Sequence, residues 1–117
     1  MRTTERTYGD TSVLVVHDDR IDGRSGIELE RTIRDLVDRG HVRIVVDLGN
    51  VRFMDSTGLG ALVRTLKLVG RDGDLSVARL QEGLAILFKL TRMDRVIRTH
   101  STVEDAVRAD EHPPPDG

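Results

Sequence analysis

Short β-branched runs alternate along this chain with stretches whose apolar residues recur every three or four positions. Thr11-Ser12-Val13-Leu14-Val15-Val16 is a run of the first kind and predicts a strand. A more weakly marked strand precedes it at Thr3 to Tyr8. Asp18 to Gly26 is polar and punctuated by glycine, which predicts a loop. Ser25 and Glu28 then stand at capping-box spacing, where each side chain can satisfy a free amide of the other. Leu29, Ile33, Leu36 and Val37 follow as one apolar stripe, and Gly40 fits the left-handed position past the last turn. The polar residues on the other side of this helix, Glu30, Arg31, Arg34, Asp35 and Asp38, suit either a solvated face or a partner surface.

Val42-Arg43-Ile44-Val45-Val46-Asp47-Leu48 is apolar on nearly both faces, as a central strand covered by helices must be. A second helix follows Ser56, with Leu59, Leu62, Val63, Leu66 and Val69 on its stripe and Gly70 at its end. Leu75 to Leu80 predicts another strand, Leu84, Leu87 and Phe88 a short helix, and Val96-Ile97-Arg98 a last short strand. Ser101 and Glu104 repeat the capping-box spacing before Val103, Ala106 and Val107, which predicts a terminal helix. The segment 110–117 is polar and proline-rich and is expected to be a disordered tail. Strands alternating with helices imply an α/β fold whose sheet is mostly parallel. Functional sites in such sheets lie beyond the carboxyl ends of the strands. That rule points to the segment after Leu48, from Gly49 to Gly60.

Composition narrows the possibilities. The 117 residues fit one domain, and with 38% hydrophobic residues the chain can bury a core unaided. There is no cysteine, hence no disulfide, which suits a reducing compartment. Eighteen basic residues against 20 acidic ones give a net charge of -2, which argues against a nucleic-acid binder. No apolar run approaches the roughly 20 residues that span a bilayer, so no membrane association is expected. Met1-Arg2-Thr3-Thr4-Glu5 is not signal-like, and the expected location is the cytoplasm.

The candidate chemistry lies in Phe53-Met54-Asp55-Ser56-Thr57-Gly58-Leu59-Gly60. Asp55 or Ser56 can cap the second helix. Gly58 and Gly60 each cost the helix about 1 kcal/mol relative to alanine, which suggests that another backbone or a partner approaches closely there. Local chemistry alone leaves open whether Ser56 is only a cap. A nucleophile elbow needs glycine two residues before the serine as well as two after, and Met54 fills the first place. The histidines, His17, His41, His100 and His112, show neither a general-base motif nor metal-ligand spacing, so a serine hydrolase is a remote alternative. Gly58-Leu59-Gly60 lacks the third glycine of a dinucleotide fingerprint and is followed by no P-loop lysine.

Following the strand Val45-Val46-Asp47-Leu48, the run from Phe53 to Gly60 resembles the signature of the anti-sigma factor antagonist family, which has the STAS fold. The resemblance implies a single domain over residues 1–109, with a mixed sheet of four to five strands flanked by about four helices. It departs from the family pattern at Asp19-Arg20-Ile21-Asp22, where a glycine is replaced, and at Leu80-Gln81-Glu82-Gly83, which lacks a proline. Position for position, Ser56 would be the residue phosphorylated by a partner that is both anti-sigma factor and serine kinase. The unmodified protein would bind that kinase and free a sigma factor, in stress or sporulation signalling. A PP2C-type phosphatase would reset the switch. ATP and magnesium would belong to the kinase, and this chain would need no cofactor and be no enzyme. Asp22, Met54, Asp55, Thr57, Gly58, Leu59 and Gly60 join Ser56 as candidate partner contacts, with core packing the competing role for Leu59 and a solvated turn for Asp22. The alternative within the same fold is a scaffold or sensor module in a larger signalling assembly, without a kinase-reset cycle.

Overall fold

The computed structural model describes residues 1–70 and 73–111. Strand β1 (Thr3–Tyr8) turns back into β2 (Thr11–Val16), and a two-residue strand β3 (Arg20–Ile21) leads into helix α1 (Gly23–Asp38). Strand β4 (Arg43–Asp47) is followed by a second two-residue strand, β5 (Phe53–Met54), and helix α2 (Ser56–Val69). Then come β6 (Asp74–Ala78), α3 (Glu82–Leu90), a 3-10 turn at Met93–Arg95, β7 (Arg98–His100) and α4 (Val103–Glu111). The main sheet is five-stranded in the order β1-β2-β4-β6-β7. β1 is antiparallel to β2, and the remaining pairs are parallel, so the sheet is mixed and mostly parallel as expected.

Alternation along the strands divides the core. Leu14, Ile44, Val46, Leu75 and Val77 face one side, where Leu29, Ile33 and Leu36 of α1, Leu62 of α2 and Leu84 and Phe88 of α3 cover them. Val13, Val45 and Ala78 face the other side and meet Ala106 and Val107 of α4. Gly40 and Gly70 both take positive φ where their helices end, the conformation that glycine adopts without a Cβ penalty.

Several boundaries differ from the pattern-based expectation. Residues 18–26 are not all loop: β3 lies within them, and α1 begins at Gly23 with Asp22, not Ser25, as its N-cap. The capping box joins Asp22 and Ser25. The Ser25 amide donates to Asp22 Oδ1 at 3.3 Å, and the Asp22 amide donates to Ser25 Oγ at 2.8 Å. Glu28 instead takes the N-terminal ammonium. The earlier start adds Gly26 to the surface buried against α2, where a Cβ would lie 3.4 Å from the Thr57 carbonyl oxygen. At the other end, Ile97 is buried but unpaired in the sheet, and the strand begins at Arg98, in register with Ser76. β6 stops at Ala78 because Arg79 takes a φ of 64°. The α4 cap is Thr102, whose hydroxyl oxygen accepts from the Asp105 amide at 3.0 Å. α4 itself runs to Glu111, two residues into the segment read as a tail, and residues 112–117 lie outside the described ones.

Candidate functional site

Two short strands build the site. β3 and β5 pair in parallel, Arg20 opposite Phe53 and Ile21 opposite Met54, and the Asp55 amide donates to the Ile21 carbonyl at 3.2 Å. Each strand runs directly into an aspartate, and each aspartate caps a helix: Asp22 for α1, Asp55 for α2. Two helix N-termini, each a region of positive potential, therefore open side by side. Gly23 marks how close they are, since a Cβ there would lie 3.7 Å from Thr57 Oγ1.

Asp55 Oδ1 collects three donors, the amides of Thr57 and Gly58, each at 3.0 Å, and the Thr57 hydroxyl. These bonds, the Thr57 hydroxyl foremost and the Gly58 amide next, hold the Asp55 carboxyl below its usual range. The Ser25 amide, then the Ser25 hydroxyl, does the same for Asp22. Both caps are therefore anionic at neutral pH.

Ser56 is the first residue of α2. Its side chain is exposed and makes no hydrogen bond among the described residues. Asp55 has taken over the capping, so the Ser56 hydroxyl has no structural task. Thr57, next along the chain, is exposed too, but its hydroxyl is committed to Asp55. Two adjacent hydroxyls thus differ in availability, and the first is the free one.

The remaining candidates separate into surface and interior. Gly58 is buried, and a Cβ there would come within 2.7 Å of Met54 Cγ and 2.8 Å of the Ile21 carbonyl oxygen. The close backbone approach expected from its sequence position is this chain's own. Gly60 is different: a Cβ would meet only the Arg64 guanidinium, at 3.3 Å. Leu59 is half-buried and packs on the core. Met54 is only 3% exposed, so its expected place in a surface contact patch is corrected: its side chain fills the space left by Gly58. In a two-residue strand one side chain points in and the other out, and here the outward one is Phe53, 46% exposed. The Arg20 guanidinium stacks on its ring, 4.8 Å from the centroid. The outward place of Phe53 carries no signal in the sequence, because two residues are too few to show an alternation. Asp22, set on the same side as Ser56 by the β3–β5 pair, is a helix cap and not an ordinary turn residue.

His17 pairs with Thr4, and His41 with Ser12, each at 2.7 Å. Among the described residues no cluster of His, Asp or Glu is arranged to hold a metal ion, and no helix is long and apolar enough to cross a membrane.

The family model of the STAS domain matches residues 3–106. The chain belongs to the STAS domain family. An anti-sigma-B factor antagonist of Staphylococcus aureus (strain NCTC 8325 / PS 47) is 33% identical over 78 residues, 66% of this chain and 72% of the relative. The crystal structure of an anti-sigma factor antagonist from Mycobacterium paratuberculosis superposes with a TM-score of 0.83 and 27% identity, covering 92% of each chain. The fold is shared with the Bacillus cell fate determinant SpoIIAA in its phosphorylated form, at a TM-score of 0.69 and 15% identity over 93% of this chain and 99% of that one. This STAS domain is thus of the anti-sigma factor antagonist type, with an α/β architecture of five main-sheet strands and four α-helices.

Proposed function

We propose that this protein is a partner-switching anti-sigma factor antagonist acting in the cytoplasm, with Ser56 as its phosphorylated residue. The unmodified chain binds an anti-sigma factor that is also a serine kinase, and the sigma factor held by that kinase is released. The reaction happens on the partner. The Ser56 hydroxyl oxygen attacks the γ-phosphorus of ATP held there with magnesium; the bond to the β–γ bridging oxygen breaks, ADP leaves, and the hydroxyl proton passes to a base on the kinase. A PP2C-type phosphatase hydrolyses the ester and resets the protein, which itself contributes no catalytic group or cofactor. The observation that carries this reading is the free, exposed Ser56 hydroxyl beside a neighbour whose hydroxyl is tied down.

Electrostatics explains why the modification acts on binding rather than on folding. A phosphate adds about -1.5 to -2 charges. The N-termini of α2 and α1 attract that charge, while the anionic Asp55 and Asp22 repel it, so the local effects on the monomer largely offset each other. Across an interface the new charge has to be desolvated against the docked protein. A penalty of about 4 kcal/mol weakens binding roughly a thousandfold, enough for an off state. Asp22, Asp55, Thr57, Leu59 and Gly60 surround Ser56 in the contact, and over Gly60 only the end of the Arg64 side chain lies close to the missing Cβ.

The test is to incubate the protein with each serine-kinase anti-sigma factor of its host and ATP, and to map the modified residue by mass spectrometry. Phosphate on Ser56, lost in Ser56→Ala, is the expected result. Phosphate on Thr57 instead, or a stable assembly with no transfer, refutes the switch; the second result fits a scaffold module.

A further inference from the structure

Helices α1 and α2 start side by side, and their outward rows form one surface that begins at Ser56. Gly23, Ile27, Glu30 and Arg34 follow one another along α1 at three- and four-residue spacing. Two contacts fix the direction in which that row faces. A Cβ on Gly23 would lie 3.7 Å from Thr57 Oγ1, and Arg64 Nε donates to Glu30 Oε1 at 2.7 Å. The adjoining row of α2 is Ser56, Gly60 and Arg64, all at least partly exposed. Ile27 stands between two positions that carry no side chain, Gly23 and Gly60, and is 55% exposed. Of the large apolar side chains exposed among the described residues, Ile27 and Phe53 are the two beside the helix entrances. Phe53 has Arg20 stacked on its ring, whereas Ile27 is left to solvent. Charge sets the same place apart. Arg24 and Arg31, three residues before Ile27 and four after it, are exposed and have no carboxylate within ion-pair reach among the described residues. The acids near them are engaged: Asp22 and Asp55 cap the two helices, and Glu28 takes the N-terminal ammonium. Glu30 is shared by Arg64 and Arg34, and Asp35 pairs with Arg39. Asp38 stands about two turns beyond Arg31. The charge left over around Ile27 is therefore positive.

We infer that Ile27 is the apolar anchor of the face that the anti-sigma kinase covers, seated in an apolar pocket of that kinase edged by carboxylates that meet Arg24 and Arg31. The inference rests on the partner-switch reading, which also decides the occupant. A hydroxyl that attacks ATP has to come within roughly 3 Å of the γ-phosphorus, so the protein holding the nucleotide lies directly over Ser56. A stable interface takes ~800 Å² per partner, equivalent to a disc of roughly 16 Å radius. Ile27 is one turn, ~5 Å, past Gly23, and Gly23 adjoins Thr57, so Ile27 falls well inside such a disc centred on Ser56. An exposed aliphatic side chain at that place is desolvated whenever the kinase docks, and the two unpaired arginines beside it select acidic over basic surroundings.

The experiment is a calorimetric titration of the unphosphorylated protein on each purified serine-kinase anti-sigma factor of its host, repeated with variants. Ile27→Ser is expected to weaken binding at least about tenfold with an unchanged melting temperature, since the side chain is exposed and the two residues have similar helix propensities. Ile27→Leu is expected to bind within about threefold of the parent. Leu90→Ser, at the end of α3, is the control and is expected to bind as the parent does. Arg24→Gln with Arg31→Gln is expected to flatten the dependence of affinity on NaCl. Undiminished binding by Ile27→Ser overturns the inference, and so does an equal loss in Leu90→Ser. A dimer of the parent that Ile27→Ser abolishes overturns it too, because a second copy then covers the face. An unchanged NaCl dependence overturns the acidic edge. An anti-sigma factor that loses affinity with Ile27→Ser yet leaves Ser56 unmodified refutes the switch alone. One that phosphorylates Ser56 and binds Ile27→Ser like the parent refutes the anchor alone, and no binding at all refutes both.

Discussion

Replacing Gly58 with alanine places a methyl carbon 2.7 Å from Met54 Cγ and 2.8 Å from the Ile21 carbonyl oxygen. The methionine can swing away. The carbonyl is backbone in the β3–β5 pair and accepts the Asp55 amide, so moving it loosens the entrance to α2. Overpacking of this kind costs about 1–3 kcal/mol, and the fixed carbonyl puts it near the upper end. Alanine returns about 1 kcal/mol of helix propensity. The expected net loss is about 2 kcal/mol, or roughly 8 °C in Tm for a domain of this size. Gly60→Ala is the control two residues along. There the new methyl meets only the end of the Arg64 side chain, half-exposed and held by a surface ion pair to Glu30, which can give by the few tenths of an ångström required, so part of the propensity gain survives and the free protein is stabilised by about 0.5 kcal/mol. Urea unfolding followed by circular dichroism measures both, with unchanged m-values as the check that only stability moved. A Gly58→Ala protein as stable as the parent, or a less stable Gly60→Ala, refutes the packing described for the start of α2. The second variant also separates fold from function: if the partner lies over Gly60, the stabilised Gly60→Ala protein binds its anti-sigma factor at least about tenfold more weakly.

Ser56→Ala is expected to unfold within about 0.5 kcal/mol of the parent and to remain bound to the kinase, because its hydroxyl holds nothing in place. Ser56→Asp is expected to fold equally well and bind poorly; tight binding by both variants in a pull-down with the kinase removes Ser56 from the interface. Asp22 and Asp55 both have depressed carboxyl pKa values in the folded state, so the unfolded chain binds more protons than the native one in acid. Their stabilisation is complete above the ordinary carboxyl range and is lost as pH falls below about 4 through the folded values; Tm measured from pH 5 to 2 is expected to fall, with a shallower slope in Asp55→Asn. Thr57→Val removes the first of the bonds that hold the Asp55 carboxyl down, so NMR titration is expected to find that group shifted up toward its ordinary range, and Ser56 phosphorylation is expected to persist.

The central features were legible because they follow from repetition. β-branched runs gave the strands, three-and-four spacing gave α1 and α2, and the free serine stood at a position that the segment order alone placed beyond the sheet. What escaped was decided by contacts between distant residues. Asp22 and Ser25 are both competent caps, and only the packing of Gly26 on α2 selects the earlier one. A two-residue strand is too short to show an alternating pattern, so the inward Met54 and outward Phe53 could not be told apart. Ile97 looked like strand because it is apolar and buried, but it anchors the chain just ahead of the pairing that starts at Arg98. The exposure of Leu90 is not legible either, because a one-dimensional pattern marks which residues are apolar, not whether the fold has anything to cover them.

The capture of the Thr57 hydroxyl by Asp55 has a consequence for signalling. If Ser56 is the phosphorylated residue, the start of α2 offers one free hydroxyl of its adjacent pair, so it would carry one mark or none and give no doubly marked species there. A graded response then has to come from the population. Under the proposed switch, the fraction of unmarked molecules would follow the ratio of the kinase and phosphatase rates, and the free sigma factor would follow that fraction.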